Sequence, residues 1–405
     1  MNMTPNLRFD GFNEIWEWQK GSSLFSILGG AAFSSRDASD EGIKWYKIAN
    51  VGINKTDKKE VSYLPTTILE DYRRYVLNKG DITLALTRPI LNSKLKICEI
   101  DDFFDGSLLN QRVGKLITKE GVDRKFIYYL LQTQGNIRYL ENMIAGTDPP
   151  NLSNNDLLIK KYNVPNKSEQ EKIASFFSLI DKKIELQTEK VEELKNYKKG
   201  IMQKIFSQEL RFKDENGNEY PEWEERKLGN LINEYEYKTE SNNKYPILSS
   251  TLNGIVLQSN YFSKQTASVD TTGYKIVPRG YFTYRSMSDT GVFRFNIQEV
   301  VDFGIVSPAY PVFSSSDKIN SKFLELVLNH SSGVKRQLLI TKEGGTRYAL
   351  GFTKLKQIQV MIPCKLEQEK IAILIRILES KVNKEEQKLV ALIDYKKGLL
   401  QQMFI

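Results

Sequence analysis

The chain has 405 residues, of which 40% are hydrophobic and 27% are charged. This is an ordinary soluble composition with room for two or three domains. It contains no apolar run of about 18 residues and no basic N-terminal segment followed by an apolar one, so a membrane span and a secretion signal are not indicated. The net charge of +8 is compatible with a nucleic-acid partner but is not diagnostic of one. The two isolated cysteines, Cys98 and Cys364, favour free thiols in a reducing, cytoplasmic setting.

Two stretches, Ser168–Phe206 and Leu366–Phe404, have closely similar sequences and lie 198 residues apart without a gap. Both are rich in Glu, Lys, Leu, Ile and Gln and lack proline, so each predicts a long helix. A helix of this length would extend roughly 57 Å at 1.5 Å per residue. The regular repeat indicates a duplicated architecture in which the two helices act as a spacer between other parts.

Apolar residues recur in alternating steps of four and three along both stretches, which is typical of a coiled-coil seam. The pattern is interrupted once in each copy, at Gln187 and at Glu385. If the helices pair antiparallel, these two polar residues face each other at the crossing and set the register, although two solvated positions would fit the pattern equally well. The predicted seam consists of Ile173, Phe177, Ile180, Ile184, Val191, Leu194, Tyr197, Ile201 and Ile205, and of Ile371, Ile375, Leu378, Val382, Leu389, Leu392, Tyr395, Leu399 and Met403.

The rest of the chain is repeated as well. Leu7-Arg8-Phe9 precedes Trp16, and Leu210-Arg211-Phe212 precedes Trp223. Each start leads into about 150 residues with short β-like runs, one helical run and a Gly-Thr pair ahead of the next long helix. The order of elements is the same in both halves while the loop residues differ. Such a pattern is what two related readers of two different targets would need.

Together, these motifs resemble the specificity subunits of type I restriction–modification systems over nearly the whole chain. The resemblance rests on the Leu-Arg-Phe…Trp start, the Gly-Thr pair, the Pro…Glu-Gln-x-x-Ile-Ala helix start and the Tyr-Lys-Lys-Gly…Phe helix end, each present twice. It implies an α+β fold in which two repeated mixed α/β target recognition domains are separated by two long antiparallel coiled-coil helices in a pseudo-twofold arrangement. The implied segments are 1–165 and 210–362 for the target recognition domains and 166–209 and 363–405 for the spacer helices.

The resemblance also implies a function. The chain would bind double-stranded DNA, read a bipartite site with one domain for each half, and dock methyltransferase (modification) subunits, two of them, alongside restriction subunits. Methyl transfer and cleavage would belong to those partners, together with the methyl donor, ATP and Mg²⁺, so this chain is expected to be non-catalytic and to hold no cofactor or metal. The alternatives are a coiled-coil scaffold that presents two protein-binding modules and, less favoured, a self-contained DNA methyltransferase or nuclease.

Signals for catalysis within the chain are weak. The Asp-Pro-Pro-Asn run at 148–151 approximates the Asp-Pro-Pro-aromatic signature of amino-methyltransferases, but asparagine stands where an aromatic ring must stack on the target base. No phosphate-binding Gly-rich loop occurs. The single histidine, His330, has no cysteine cluster near it, which favours a surface or helix-end role over a metal ligand or base. The residues therefore favour a binding protein.

Candidate DNA-binding residues are polar side chains on the segments that the two halves share, since Arg, Lys, Asn and Gln read bases and Ser, Thr and Tyr contact phosphates. Arg88 is the leading candidate because it follows an apolar strand, from which its guanidinium could reach a guanine. The first half supplies Lys44, Tyr46, Asn50, Arg88, Asn92, Lys94, Thr147 and Asn151, and the second half supplies Tyr245, Ser249, Thr251, Tyr284, Arg285, Arg294, Lys342, Arg347 and Tyr348.

Overall fold

The structure is a computed structural model and describes residues 4–146, 149–261, 270–341, 343–344 and 348–404. The chain forms two compact units: lobe 1 comprises Met1–Thr188 and Gln387–Ile405, and lobe 2 comprises Glu189–Glu386. The two long helices begin and end close to the predicted positions, at Lys167–Phe206 and Lys365–Met403. Each of them contributes one part to lobe 1 and the other part to lobe 2.

Lobe 1 begins the numbering of the elements. Its strands are β1 Glu17–Lys20, β2 Phe25–Gly29, β3 Ile43–Tyr46, β4 Ser62–Leu64, β5 Ile82–Ala85, β6 Ile90–Leu91, β7 Lys94–Leu95, β8 Ile97–Glu99, β9 Leu108–Leu109, β10 Val113–Thr118 and β11 Lys161–Val164. Its helices are α1 Gly21–Leu24, α2 Leu69–Tyr72, α3 Arg124–Leu131, α4 Gln134–Ile144, α5 Asn154–Leu158 and the first part of α6 Lys167–Phe206.

Lobe 2 continues the numbering. Its strands are β12 Glu224–Lys227, β13 Ile232–Glu234, β14 Leu248–Thr251, β15 Gly254–Leu257, β16 Lys275–Pro278, β17 Phe282–Thr283, β18 Met287–Ser288, β19 Asn296–Ile297, β20 Phe303–Val306, β21 Val312–Ser315, β22 Glu343–Gly344, β23 Tyr348–Ala349 and β24 Gln359–Ile362. Its helices are α7 Gln258–Tyr261, α8 Ser321–His330, α9 Ser332–Thr341, α10 Phe352–Leu355 and part of α11 Lys365–Met403.

The two lobes share one sheet plan. Lobe 1 has a four-stranded antiparallel sheet in the order β2-β10-β5-β8, and lobe 2 has one in the order β13-β21-β17-β19. In each lobe the first strand pairs antiparallel with the strand that leads into a long helix, as β1 with β11 and as β12 with β24. The duplication seen in the sequence therefore extends to the sheets.

Within each lobe the two long helices run antiparallel. In lobe 1, the Lys396 ammonium of α11 lies 2.5 Å from the Asp181 carboxylate of α6. In lobe 2, Lys198 of α6 lies 3.3 Å from Glu379 of α11. These two ion pairs are equivalent by the repeat, because Glu379 and Lys396 of α11 lie 198 residues after Asp181 and Lys198 of α6. The predicted fold class, with two repeated mixed α/β domains and two long antiparallel helices, is confirmed.

One part of the predicted seam is wrong. Tyr197 and Tyr395 were assigned to it, but they are 58% and 57% exposed. The next residue in each helix faces inward instead: Lys396 is buried and Lys198 is half-buried. A long lysine stem packs its methylene groups against apolar neighbours while its ammonium meets a carboxylate, so a lysine can occupy an interior position that a hydrophobicity pattern does not predict.

The duplicated arginine and glutamate motifs meet at the start of each long helix. The Arg8 guanidinium donates two hydrogen bonds of 2.7 Å to the Glu169 carboxylate in lobe 1. Arg211 donates to Glu367 in lobe 2 over 2.9 and 3.4 Å. Both glutamates are fully buried. A two-pronged arginine–carboxylate pair fixes orientation as well as charge, which accounts for the repetition of these two motifs.

The glutamine that follows each of these glutamates joins two helix starts. Gln170 accepts a hydrogen bond from the Asp123 amide at the start of α3 and donates one to the Pro165 carbonyl. Gln368 makes the equivalent bonds with the Asn320 amide at the start of α8 and with the Pro363 carbonyl. The motif thus ties the long helix of each lobe to a shorter helix of the same lobe.

The hydrophobic core of each lobe contains a cluster of aromatic rings. In lobe 1, Phe126 of α3 packs against Phe404 and Trp16, with ring centroids 5.4 and 6.3 Å away. In lobe 2, Phe323 of α8 packs against Phe206 and Trp223 at 6.5 and 6.0 Å. The tryptophan of the start motif and the phenylalanine of the helix end are therefore core residues.

The proposed register residues lie in different lobes. Glu385 is buried in lobe 2, where its carboxylate lies 3.2 Å from the Lys190 ammonium. Gln187 is half-buried in lobe 1. The structure thus gives Glu385 a cationic neighbour that the sequence pattern did not suggest, and the facing of Gln187 and Glu385 stays a prediction.

Candidate nucleic-acid interface

Several of the candidates in lobe 1 come together where the chain leaves strand β5. The Leu152 amide donates to the Leu86 carbonyl, and the Arg88 amide donates to the Pro150 carbonyl, both over 2.7 Å. Between these bonds, the Thr87 hydroxyl donates to the Asn151 side-chain oxygen over 2.7 Å. Two segments that are more than 60 residues apart in the chain are joined here by a bridge between Thr87 and Asn151. The side chains of Arg88 and Asn151 are both exposed at this junction.

A short hairpin follows this junction. β6 and β7 pair through Ile90–Leu95 and Leu91–Lys94, and Asn92 and Ser93 form the turn with φ of 50° and 52°. Two consecutive positive φ angles define the type I′ turn, in which asparagine is favoured. Asn92 therefore has a structural reason for its position. Its side chain and that of Lys94 are nevertheless exposed at the tip.

The corresponding junction of lobe 2 has the same bonding and different side chains. The Leu350 amide donates to the Ser286 carbonyl over 2.8 Å. From there, β18 pairs with β23, so that Ser288 lies opposite the half-buried Tyr348. Arg285 is exposed just before β18. The bridge between Thr87 and Asn151 in lobe 1 thus corresponds to the pair of Met287 and Ala349 in lobe 2. Arg285 and Tyr348 lie next to this pair.

Three candidates are interior residues, which corrects their prediction as DNA contacts. Tyr46 is fully buried, and its hydroxyl lies 3.2 Å from the Thr83 hydroxyl. Asn50 is buried and donates to the carbonyls of Asp57 and Glu60. Tyr284 is fully buried and donates to the Leu350 carbonyl over 3.1 Å. Their polar groups are satisfied inside the lobes, where DNA cannot reach them.

Other candidates lie away from the two junctions. Lys44 is half-buried with its ammonium 4.9 Å from the centre of the Phe103 ring. Ser249 and Thr251 are half-buried on β14, and the Thr251 hydroxyl donates to the Gly254 carbonyl of the adjoining turn. Tyr245 is half-buried against Phe303, with ring centroids 5.9 Å apart. Three further candidates, Thr147, Lys342 and Arg347, lie outside the described residues.

Arg294 lies in a cationic group with the only histidine. Its side chain is half-buried, and its Nε has no hydrogen-bond partner within the described part of the chain. Burial, and to a smaller extent the nearby charges of Arg294, Lys335 and Lys198, lower the pKa of His330 to about 4. His330 is therefore neutral at physiological pH, which agrees with the prediction that it is a helix-end residue of α8.

An aromatic surface of lobe 2 was missed in the sequence. Tyr237 is 70% exposed, and the Tyr235 ring lies 4.9 Å from both Tyr237 and Tyr281. The alternation Tyr235-Glu236-Tyr237-Lys238 was the available signal, because residues two apart in an extended segment share a face.

Lys96 in lobe 1 was also missed: its ammonium donates to the Ile48 carbonyl over 3.0 Å, and burial lowers its pKa.

Among the residues that the structure describes, no three His, Cys, Asp or Glu side chains are grouped so that they could hold a metal ion. No helix in this part of the chain is long and apolar enough to cross a membrane. Cys98 is buried, Cys364 is half-buried, and both are free thiols, as predicted.

Comparison with known families gives two matches along the chain. The family model described as "Type I restriction modification DNA specificity domain" matches residues 13–196 and 220–392. These two ranges cover most of the chain, and each contains one of the two junctions. The duplication is thus also a duplication of one family domain.

Individual relatives give the same result. The chain is 36% identical over 204 residues to the type I restriction enzyme MjaVIII specificity subunit of Methanocaldococcus jannaschii, covering 50% of this chain and 48% of that relative. It is 30% identical over 163 residues to the EcoAI specificity subunit of Escherichia coli, covering 40% and 28%. The aligned parts thus span half or less of these curated relatives. The MjaIX specificity subunit of M. jannaschii is 21% identical over 387 residues, with 85% and 86% covered.

A solved structure is similar in fold. The S subunit of a type I restriction–modification system from M. genitalium matches with a TM-score of 0.59 and 18% identity, covering 100% of this chain and 99% of that one. At this identity the likeness concerns the fold.

Proposed function

Because the chain belongs to the type I restriction–modification DNA specificity domain family, we propose that it is the DNA-reading subunit of such a complex. Each lobe would read one half of a bipartite site, and an unread spacer would separate the halves. The observation that carries this proposal is the pair of equivalent junctions. Their backbone bonds are repeated at Leu86–Leu152 and at Ser286–Leu350, while their exposed side chains differ.

This contrast between scaffold and surface favours two readers over two copies of one binding module. Buried groups such as the Arg8–Glu169 pair are repeated in kind, because they hold each lobe together. Exposed positions differ: Arg88 lies two residues after the Leu86 carbonyl, whereas the buried Ser288 lies two residues after the equivalent Ser286 carbonyl. Direct readout requires different side chains for different bases, so a split and asymmetric target follows.

The proposal is tested by expressing the chain with its modification subunit in a host that lacks other methylation and mapping the methylated bases genome-wide. We expect one bipartite motif with two unlike halves. A single continuous motif, or methylation without sequence preference, would contradict the proposal. Duplex binding by the same complex should weaken steeply with salt, because phosphate contacts release counterions. A protein-binding scaffold would show no such dependence.

The catalytic steps are proposed to lie outside this chain. The methyl donor, ATP and Mg²⁺ would be bound by modification and restriction subunits. The measurement that separates this arrangement from a self-contained methyltransferase is binding of the methyl donor to the purified chain alone by calorimetry. We expect no binding for the chain and saturable binding for the complex. Saturable binding to the chain alone would contradict a purely DNA-reading role.

We propose that modification subunits dock on exposed apolar positions of the long helices, one subunit for each lobe. In lobe 1, Leu179 of α6 and Tyr395 of α11 are exposed close to the Lys396–Asp181 ion pair. In lobe 2, the equivalent residues, Ile377 and Tyr197, are exposed near Lys198. Tyrosine and aliphatic side chains that no other group of a lobe covers are typical of interface cores. Their duplication agrees with two partners.

Single substitutions test this docking. Tyr395→Ser and Tyr197→Ser should each remove one modification subunit, so that light scattering shows one bound subunit where the wild type binds two. Leu186→Ser is the matched control, because Leu186 is 53% exposed on α6 and its equivalent position holds Lys384. The control should still bind two subunits. Two bound subunits in both tyrosine variants would contradict the assignment.

A further inference from the structure

The hairpin formed by β6 and β7 presents its tip to solvent. The two strands form a sheet of their own, and a two-residue type I′ turn joins them. Leu91, just before the turn, is 53% exposed, and Asn92, Ser93 and Lys94 are exposed as well. This arrangement gives lobe 1 a narrow two-stranded ribbon with an apolar and an amide side chain next to each other at its end.

Three hydrogen bonds, made by Arg88 and Lys96, hold the base of the hairpin in place. Arg88 has a φ of 48°, a conformation that non-glycine residues rarely adopt, and its amide is bound to the Pro150 carbonyl. The Lys96 amide donates to the Pro89 carbonyl over 2.7 Å, and the Lys96 ammonium donates to the Ile48 carbonyl. Strained backbone held by several bonds is concentrated at functional sites. The ribbon therefore projects from a rigid support.

The chemistry of the hairpin suits a polyanion that also offers apolar groups. From Leu86 to Lys96 the chain carries three cationic residues and no carboxylate. A cleft of about 400 Å³ lies at its base, lined by Arg88, Pro89, Ile90, Leu91, Lys96, Ile144 and Pro150. The major groove of DNA combines flanking phosphates with thymine methyl groups, and at about 12 Å it is wide enough to admit a two-stranded β-ribbon.

From these observations, which rest on the proposed function, we infer that the β6–β7 hairpin is the base-reading element of lobe 1. It enters the major groove, where Leu91 contacts the thymine methyl group and the Asn92 amide pairs with N6 and N7 of the adenine in one A·T base pair. Arg88 and Lys94 contact the flanking phosphates. Lobe 2 has β18 and β23 at the equivalent junction, so its half-site is read by a different surface.

The test uses the complex with its modification subunit and single-molecule sequencing of host DNA, which gives the methylated fraction at the wild-type motif and at each of its single-base variants. The double variant Leu91→Ala/Asn92→Gly removes both reading groups, and glycine keeps the positive φ of the turn. Discrimination at one A·T pair, in one half-site only, should fall by about 5- to 100-fold, as expected for the loss of base contacts.

Two controls accompany the double variant. Ser93→Gly changes the same turn and should leave every base preference unchanged, and Leu252→Ala changes an exposed leucine between β14 and β15 of lobe 2 and should leave the affected half-site unchanged. The inference is overturned if the double variant keeps the wild-type preference at all positions. It is also overturned by a uniform decrease at cognate and variant sites alike. If the wild type itself yields no bipartite motif, the proposed function fails independently of the hairpin.

Discussion

At the residue scale, the buried glutamate at the start of each long helix binds the arginine of the Leu-Arg-Phe motif of the same lobe, as Glu169 binds Arg8 and Glu367 binds Arg211. Removing one partner of a buried ion pair leaves the other charge without compensation, which costs about 3–5 kcal/mol. Glu169→Ala should therefore destabilise lobe 1 by that amount, because the Arg8 guanidinium loses the carboxylate that accepts two of its hydrogen bonds. Urea unfolding followed by tryptophan fluorescence measures the change.

The control for this substitution is Glu171→Ala. Glu171 lies two residues further along α6, is exposed, and approaches Lys167 only to 3.8 Å. Exposed pairs of this kind contribute little to stability, so its unfolding midpoint should equal that of the wild type. Equal midpoints for Glu169→Ala and Glu171→Ala would show that the buried pair does not hold the lobe together.

The second prediction at the residue scale concerns the pKa of the single histidine, His330, and its effect on the pH dependence of stability. The pKa of His330 is about 4 in the folded chain, below the ordinary value of 6.5, because burial and neighbouring cations disfavour its charged form. As the pH is lowered, the unfolded chain therefore takes up the proton at a higher pH than the folded chain does. The contribution of His330 to stability is complete above about pH 6.5 and is lost as the pH falls towards 4.

Nuclear magnetic resonance can follow the one imidazole signal directly. The folded chain should titrate with a midpoint near pH 4, and the chain in urea should titrate near pH 6.5. Arg294→Met should raise the folded midpoint, since it removes one of the cations that face His330. A folded midpoint above pH 6 would show that solvent reaches the ring freely.

At the scale of single elements, the inward-facing residues near the ends of the long helices are the half-buried Lys198 and the buried Lys396, where the sequence pattern predicted Tyr197 and Tyr395. Lys396→Ala should destabilise lobe 1 by about 1–3 kcal/mol, because it leaves the partly buried Asp181 carboxylate without its cation. Tyr395→Ala should change the stability by less than about 0.5 kcal/mol, as is usual for exposed positions. Thermal unfolding of the two variants measures this order of effects, and the reverse order would restore Tyr395 to the seam.

This difference shows what the sequence could predict about the elements. Both helices were predictable because apolar residues recur in alternating steps of four and three along each of the two repeated stretches. The exact facing near Tyr395 was not predictable, since it depends on a carboxylate from the other helix. Similarly, polar residue type favoured Tyr46 and Asn50 as contacts, but both are satisfied by buried hydrogen bonds that only the tertiary structure reveals. Arg88 and Asn151 were both candidates because they lie on segments that the two halves share, but only the tertiary structure brings these two segments together.

At the scale of the whole molecule, the residues that are the same in both halves and the residues that differ between them lie in different parts of each lobe. Residues that hold a lobe together, such as Glu169 and Glu367, are conserved between the halves because both lobes solve the same packing problem. Junction residues such as Arg88 and its equivalent Ser288 differ, and under the proposed function it is the target that constrains them. If the proposed function holds, a chain built in this way can change one half-site without losing the other.

The long helices lead to a prediction about the length of the unread spacer. Deleting one heptad at equivalent positions, Glu189–Lys195 and Gln387–Ile393, keeps the phase of the seam in each lobe. Seven residues correspond to about 10 Å of helix, which equals about three base pairs of DNA. The methylated motif should therefore keep both half-sites and lose about three base pairs of spacer. Replacing the same heptads with others of equal length is the control and should keep the spacer. An unchanged spacer in the deletion variant would mean that the helices do not measure the distance between half-sites.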